Sequence, residues 1–194
     1  MITTSKYEEN GFADIISGLI KIYEPGVVVE LGTQQGASAI IIGKALRHEA
    51  KLYTYDFFED KYSDPPYAET HASKEAAEYY IYSAGISRRV EIRTKDAMQV
   101  HQDFDEVDML HVDLCNYYDN ILVVLSQWRK KVRQAIILEG GGFNRWQRGL
   151  GFRPFYPILD KHLVVSLYNV IILKKNEDYA LTILMRKNNY DPNV

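Results

Sequence analysis

The stretch that most constrains this chain is VVVELGTQQGASAIII at residues 27–42. Three consecutive valines read as a buried strand, since β-branched side chains suit a pleated surface that is covered on both faces. Glu30, Leu31 and Gly32 follow at once. A tight turn through Thr33 to a second glycine, Gly36, then leads into small and apolar residues that open a helix. Gly32 lets the chain turn sharply, and Gly36 lets a ligand or the helix approach the backbone closely. Strand, glycine turn and helix N-terminus in that order build a cofactor cradle. The glycine spacing separates the chemistries that use one. A dinucleotide fingerprint needs G-x-G-x-x-G, and its middle glycine falls on Gln34, which is too large. What stands here is E-x-G-x-x-x-G.

The rest of the chain alternates helices and strands. Asn10 is a candidate N-cap for a leading helix in which Phe12, Ile15, Ile16, Leu19, Ile20 and Tyr23 recur at helical spacing until Pro25-Gly26. A second helix is expected over 37–48 and a strand over 51–56, KLYTYD, which ends in an acid. Residues 57–70, FFEDKYSDPPYAET, lack periodicity and read as a loop. A helix over 73–84 stops at Gly85. A strand over 90–93 is closed by Lys95-Asp96-Ala97, and Asp96 suits a helix N-cap. The fourth strand, 108–114, carries Asp113 at its carboxyl end, where open α/β sheets bind ligands. The next helix places Ile121, Leu122, Leu125, Trp128 and Val132 on one face. Its basic run, Arg129, Lys130, Lys131 and Arg133, is expected to be a solvated last turn that complements the helix dipole. A fifth strand, 135–138, ends in Glu139 and three glycines. The loop 140–155, GGGFNRWQRGLGFRPF, carries Phe143 and Trp146, and 163–173 with 179–185 read as a terminal β-hairpin around Lys175 to Asp178.

Composition narrows the function classes. A chain of 194 residues is expected to form a single domain, 1–194, with a substantial core. Its net charge of −3 argues against a general nucleic-acid surface. The single cysteine, Cys115, excludes an internal disulfide and suits a reducing compartment. No basic-then-apolar leader or membrane-length apolar run stands out, so the expected location is cytoplasmic and off the membrane. His111 precedes Asp113 by two and is read as a satisfied core histidine. The triple glycine lacks the lysine of a phosphate-directed P-loop.

The wording ELGTQQGAS resembles motif I of the class I S-adenosylmethionine-dependent methyltransferases. It is most similar to the small O-methyltransferase branch that includes macrocin-type and cephalosporin-hydroxylase-like relatives. The alternation described above extends that resemblance over essentially the whole chain. It implies an α/β, Rossmann-like fold: a seven-stranded, mostly parallel sheet with a C-terminal antiparallel hairpin and helices on both faces. It also implies S-adenosylmethionine as cofactor. Glu30 and Gly32 would then sit at the methionine end and Asp56 at the ribose, with Thr33, Gly36 and Phe57 also in the cofactor-binding set. Asp96 would accept from the exocyclic amine of the adenine while the Ala97 amide donates to the ring, and Asp113 would complete the cofactor set.

Asp113 and Glu139 end neighbouring strands, and two carboxylates with open positions suit Mg²⁺. The macrocin-type enzymes hold such a metal with a further acid and use a histidine nearby. In this sequence Gly140 replaces that acid and Asn116 stands in the histidine's place. An asparagine is no general base. Asp113, Asn116 and Glu139 are therefore the catalytic candidates, with Asn116 positioning the acceptor and Asp113 with Glu139 as metal ligands. A base could come from Asp119, Tyr117, Tyr118 or His111. Alternatively proximity supplies much of the rate, because a sulfonium is already a strong electrophile. The expected activity is O-methylation of a small polar acceptor such as a sugar hydroxyl. The alternatives are a phenol or amine acceptor, or a non-catalytic relative that keeps cofactor binding. The expected partner is the small-molecule acceptor, with no nucleic acid or membrane, and a homo-oligomer is compatible with the sequence.

Overall fold

A computed structural model describes residues 6–58, 73–114, 118–140, 155–174 and 179–187. The chain divides into two compact units, Met1–Val100 and His101–Val194. The first holds α1 (Lys6–Glu9), α2 (Phe12–Tyr23), β1 (Val27–Leu31), α3 (Ala37–Ala45), β2 (Lys51–Asp56), α4 (Lys74–Ser83) and β3 (Val90–Thr94). Its strands are parallel, paired from Val27↔Lys51 to Leu31↔Tyr55 and from Leu52↔Val90 to Asp56↔Thr94. That register brings the carboxyl ends of β1 and β2 to one edge.

The apolar stripe of α2 buries Phe12, Ile16 and Ile20, as its spacing requires. Its N-cap is Gly11 rather than Asn10. The short α1 ends just before it, and the Gly11 amide donates to the Glu8 carbonyl from a left-handed conformation that suits glycine. α3 stops at Ala45, short of residue 48, because Leu46 turns to extended backbone and is buried. Packing beneath α3 is close. A Cβ on Gly43 would lie 2.7 Å from Val90 Cγ2 and 2.8 Å from Ile86 Cδ1, so no larger residue fits there without displacement. Ser73 caps α4 by accepting from the Ala76 amide at 3.2 Å.

The second unit holds β4 (Val107–Val112), α5 (Tyr118–Trp128), β5 (Val132–Glu139), α6 (Tyr156–Leu159), α7 (His162–Val165), β6 (Tyr168–Lys174) and β7 (Ala180–Arg186). β4 and β5 are parallel, and β7 runs antiparallel to both β5 and β6. Within the first unit the strand order is β3-β2-β1, and within the second it is β4-β5-β7-β6. Seven strands, parallel within β1–β3 and in β4–β5 and closed by an antiparallel hairpin, is the expected Rossmann-like sheet. The hairpin's first strand begins at Tyr168, since residues from 163 up to there include α7. Among the described residues no helix is long and apolar enough to cross a membrane.

Only the start of the basic run is a solvated helix end: Arg129 donates to the Ser126 carbonyl at 2.6 Å and Lys130 is exposed. α5 ends at Trp128, and Val132 opens β5 instead of extending the helix face. Lys131 donates to the carbonyls of His101 at 2.9 Å and Phe104 at 2.6 Å. The β4–β5 pairing skips a residue, from Val107↔Val132 to Met109↔Ala135. This irregularity sets Arg133 against the buried Asp108, whose Oδ1 accepts from Nη2 at 2.6 Å and Nε at 3.0 Å. Glu106 lies 3.3 Å from Nη1. The Asp108 hydrogen bonds, helped by the charge of that carboxylate, hold the Arg133 guanidinium above its usual pKa.

Candidate functional site

The glycine turn of the first unit is held from several sides. Gly32 (φ 98°) donates to the Tyr55 carbonyl at 2.8 Å, which extends the β1–β2 pairing by one residue. Gly36 (φ 84°) donates to the Thr33 carbonyl at 2.7 Å and accepts from Ile40, so the turn feeds directly into α3. A Cβ on Gly36 would meet Ile81 only at an ordinary 3.6 Å. The positive φ, not lack of space, requires glycine there.

Asp56, the last residue of β2, braces this turn. Its Oδ2 accepts from the Gln34 amide at 2.7 Å and its Oδ1 from the Phe58 amide at 3.3 Å. A carboxylate offers about four lone-pair sites, so each oxygen can accept once more. The Lys95 amide donates to the Asp56 carbonyl at 3.1 Å, which draws the segment after β3 alongside. There Asp96 Oδ1 accepts from the Met98 amide at 2.9 Å, so this carboxylate does cap a turn. Its Oδ2 and the neighbouring Ala97 amide have no hydrogen-bond partner among the described residues. One acceptor and one donor thus stand open side by side. Phe57 is half-buried.

Glu30 is fully buried. Its Oε2 accepts from the Thr54 hydroxyl at 2.5 Å, and the Thr33 and Thr54 hydroxyl oxygens are 2.6 Å apart. Thr54 has one hydrogen and gives it to Glu30, so Thr33 is the donor in the second bond. A polarised chain therefore runs from the turn into the sheet. Sequence reasoning missed Thr54, although a threonine between Leu52 and Tyr55 on the buried β2 is a visible polar interruption. What the sequence hides is the register Glu30↔Thr54 that pairs them.

In the second unit, Asp113 directly follows β4 and Glu139 ends β5, one residue beyond the parallel pair Val112↔Leu138. Both are half-buried. His111 is buried inside β4, as expected of a core histidine. Asp119 is exposed and Tyr118 half-buried. Asn116, Cys115, Tyr117, and the loops 57–70 and 140–155 apart from Phe57, Phe58, Gly140 and Phe155 lie outside the described residues, as do 175–178.

Gly140 shows why no acid follows Glu139. It holds φ 95°, donates to the Ala180 carbonyl at 2.7 Å and accepts from Thr182 Oγ1 at 2.8 Å. A Cβ would sit 3.2 Å from the Phe155 ring. Among the described residues no group of three His, Cys, Asp or Glu side chains is placed to hold a metal ion. Gly140→Asp should therefore lower stability by about 1–2 kcal/mol, a drop of roughly 2–8 °C in melting temperature. It should bring no Mg²⁺-dependent rise in melting temperature. A stable variant with such a rise would mean that position 140 is an unfilled ligand site.

A methyltransferase domain family model matches residues 29–138. No curated protein matches the sequence. Among solved structures, the O-methyltransferase TomG of Streptomyces achromogenes, involved in tomaymycin synthesis and bound to S-adenosylmethionine, aligns at TM-score 0.65 and 17% identity over 92% of this chain and 80% of its own. An O-methyltransferase from Bacillus cereus in complex with S-adenosylhomocysteine aligns at TM-score 0.66 and 18% identity, covering 95% and 83%. A Geobacter sulfurreducens methyltransferase aligns at TM-score 0.64 and 18% identity, covering 90% and 77%. At such identities these structures are alike in fold.

Proposed function

The chain belongs to the methyltransferase domain family and is a class I S-adenosylmethionine-dependent methyltransferase, and from that premise we propose that it methylates a hydroxyl oxygen of a small polar acceptor, with sugar hydroxyls as the acceptor class. The observation that carries the cofactor half is the open Asp96 Oδ2 beside the open Ala97 amide. An adenine offers the complementary edge, an exocyclic amine next to a ring nitrogen. Asp56 accepts from the ribose hydroxyls with its remaining lone pairs, next to Phe57. Gly32, Thr33 and Gly36 keep the backbone low at the methionine end, and the buried Glu30 acts there through Thr54 and Thr33.

S-adenosylmethionine supplies a methyl group on a positively charged sulfur, so the acceptor oxygen gains a C–O bond as the S–C bond breaks and the thioether leaves. The protein's tasks are to orient the acceptor and to take up its hydroxyl proton. Asp113 and Glu139, at the carboxyl ends of β4 and β5, fit the second task as hydrogen-bond acceptors. Asn116 orients the acceptor through an amide that takes no proton near neutral pH. Mg²⁺ is the other use of the pair. The described residues offer it two carboxylates, and water would complete its shell. Direct action of the acids is favoured by the glycine where a third ligand would stand, since its positive φ and the Phe155 ring disfavour any side chain there.

Turnover of a sugar panel should exceed that of phenol and amine panels, with S-adenosylhomocysteine as product. Binding of that product without turnover on any panel would leave a non-catalytic relative. Excess EDTA should leave turnover unchanged, while Asp113→Asn lowers kcat by about a hundredfold and keeps S-adenosylhomocysteine binding. If EDTA abolishes turnover and Mg²⁺ restores it, the acids are metal ligands instead.

A further inference from the structure

Outside the glycine turn, the first unit carries a cleft of about 400 Å³ lined by His48, Tyr82, Gly85, Ser87, Arg88 and Arg89. It lies at the amino ends of β2 and β3, next to Lys51 and Val90, whereas Asp56 ends β2. Six strand residues, about 17–20 Å, separate the two places.

The cleft carries two arginines. The first unit has four arginines. Arg47 pairs with Glu24 at 3.2 Å and Arg93 with Glu91 at 2.7 Å. The two without a carboxylate partner among the described residues, Arg88 and Arg89, both line this cleft. Among the described residues the side chains of Arg88, His48, Ser87 and Tyr82 make no hydrogen bond or ion pair at all. Among the described residues no acidic side chain lines the cleft.

Its frame is fixed. Arg89 Nη1 donates to the Leu46 carbonyl at 2.9 Å, and the Arg89 amide closes a turn on the Ile86 carbonyl at 2.8 Å. Lys51 Nζ donates to the Arg88 carbonyl at 2.6 Å, which adds a third positive charge nearby. Tyr82, 76% exposed, stands at the cleft wall with its side chain open to a ligand. Guanidinium forks beside a hydroxyl recognise phosphate, and an open aromatic face stacks on a planar base. The volume exceeds what a bare phosphate needs and suits a nucleotide-sized ligand.

From this we infer that the cleft is a second ligand site, separate from the methyl-transfer site, for a nucleoside phosphate. Arg88 and Arg89 hold the phosphate with His48 and Ser87 beside them, and Tyr82 stacks on the base. The inference does not depend on the identity of the acceptor.

Uridine monophosphate is the probe, titrated calorimetrically into the full chain with saturating S-adenosylhomocysteine so that the adenine site is already filled. It should bind with a dissociation constant below about 1 mM. Uridine and inorganic phosphate should each bind at least about tenfold more weakly. Arg88→Glu should weaken binding by more than about tenfold, and Tyr82→Ala by about fivefold, with Tyr82→Phe like the parent. Both sites are exposed, so melting temperatures should be unchanged, which separates lost binding from lost folding. Binding of Arg88→Glu equal to the parent overturns the site. Uridine binding as well as its monophosphate removes the phosphate assignment, and phosphate binding as well as the nucleotide removes the base. An oligouridylate binding about tenfold tighter than the mononucleotide would make the cleft part of a nucleic-acid surface and overturn the small-ligand assignment.

Discussion

Asp56→Ala should weaken S-adenosylhomocysteine binding by at least about a hundredfold in a calorimetric titration. The carboxylate has two tasks, and alanine removes both. It accepts from the Gln34 and Phe58 amides at 2.7 and 3.3 Å, which ties the glycine turn to the end of β2. Its remaining lone pairs face the proposed ribose position. A hydrogen bond to a charged group contributes about 1.5–3 kcal/mol. Two lost toward the ligand account for the hundredfold, before any cost of loosening the turn. Asp56→Asn keeps an acceptor but loses the charge, and should fall between the parent and alanine. Unchanged affinity in Asp56→Ala would remove Asp56 from the cofactor site and leave it as a brace for the turn.

Thr54→Val should give the largest loss of stability among single changes near the site. Valine has nearly the shape of threonine, so the effect isolates the hydroxyl. The change strips the fully buried Glu30 of a donor at 2.5 Å and leaves the Thr33 hydroxyl without its acceptor. Unsatisfied buried groups cost about 1–3 kcal/mol each, and more when charged. A loss of about 3 kcal/mol corresponds to roughly 6–12 °C in melting temperature for a chain of this size. Thr54→Ser should stay near the parent. The double change Thr54→Val with Glu30→Leu should recover part of the loss, since it removes the buried carboxylate along with its donor and leaves the Thr33 hydroxyl as the group without its acceptor. A Thr54→Val protein that melts with the parent would show that this chain does not hold the turn.

The site edge of the first unit was legible because its signals are local. The positive φ at Gly32 and Gly36, 98° and 84°, strongly favours glycine, so the run from Val27 to the start of α3 reads directly as strand, turn and helix. β2 falls on residues 51–56 for a similar reason: its residue types prefer extended chain and its ends are marked. Alternating strands and helices then carry Asp56, Asp113 and Glu139 to strand ends without any knowledge of packing.

Tertiary structure decided what depends on distant partners. Arg129 to Arg133 have the composition of a helix tail, and nothing local reveals that Arg133 meets Asp108, 25 residues away, or that Lys131 reaches the His101 carbonyl across 30. Those bonds end α5 at Trp128 and start β5 at Val132. Register is equally invisible. Sliding β2 by one residue would face Glu30 with an aromatic side chain, and only the assembled sheet sets Thr54 opposite it. Gly140 likewise looks like an acid exchanged for glycine. Its amide bond to Ala180 on β7 and the Phe155 ring beside it give the physical reason for a residue without a side chain.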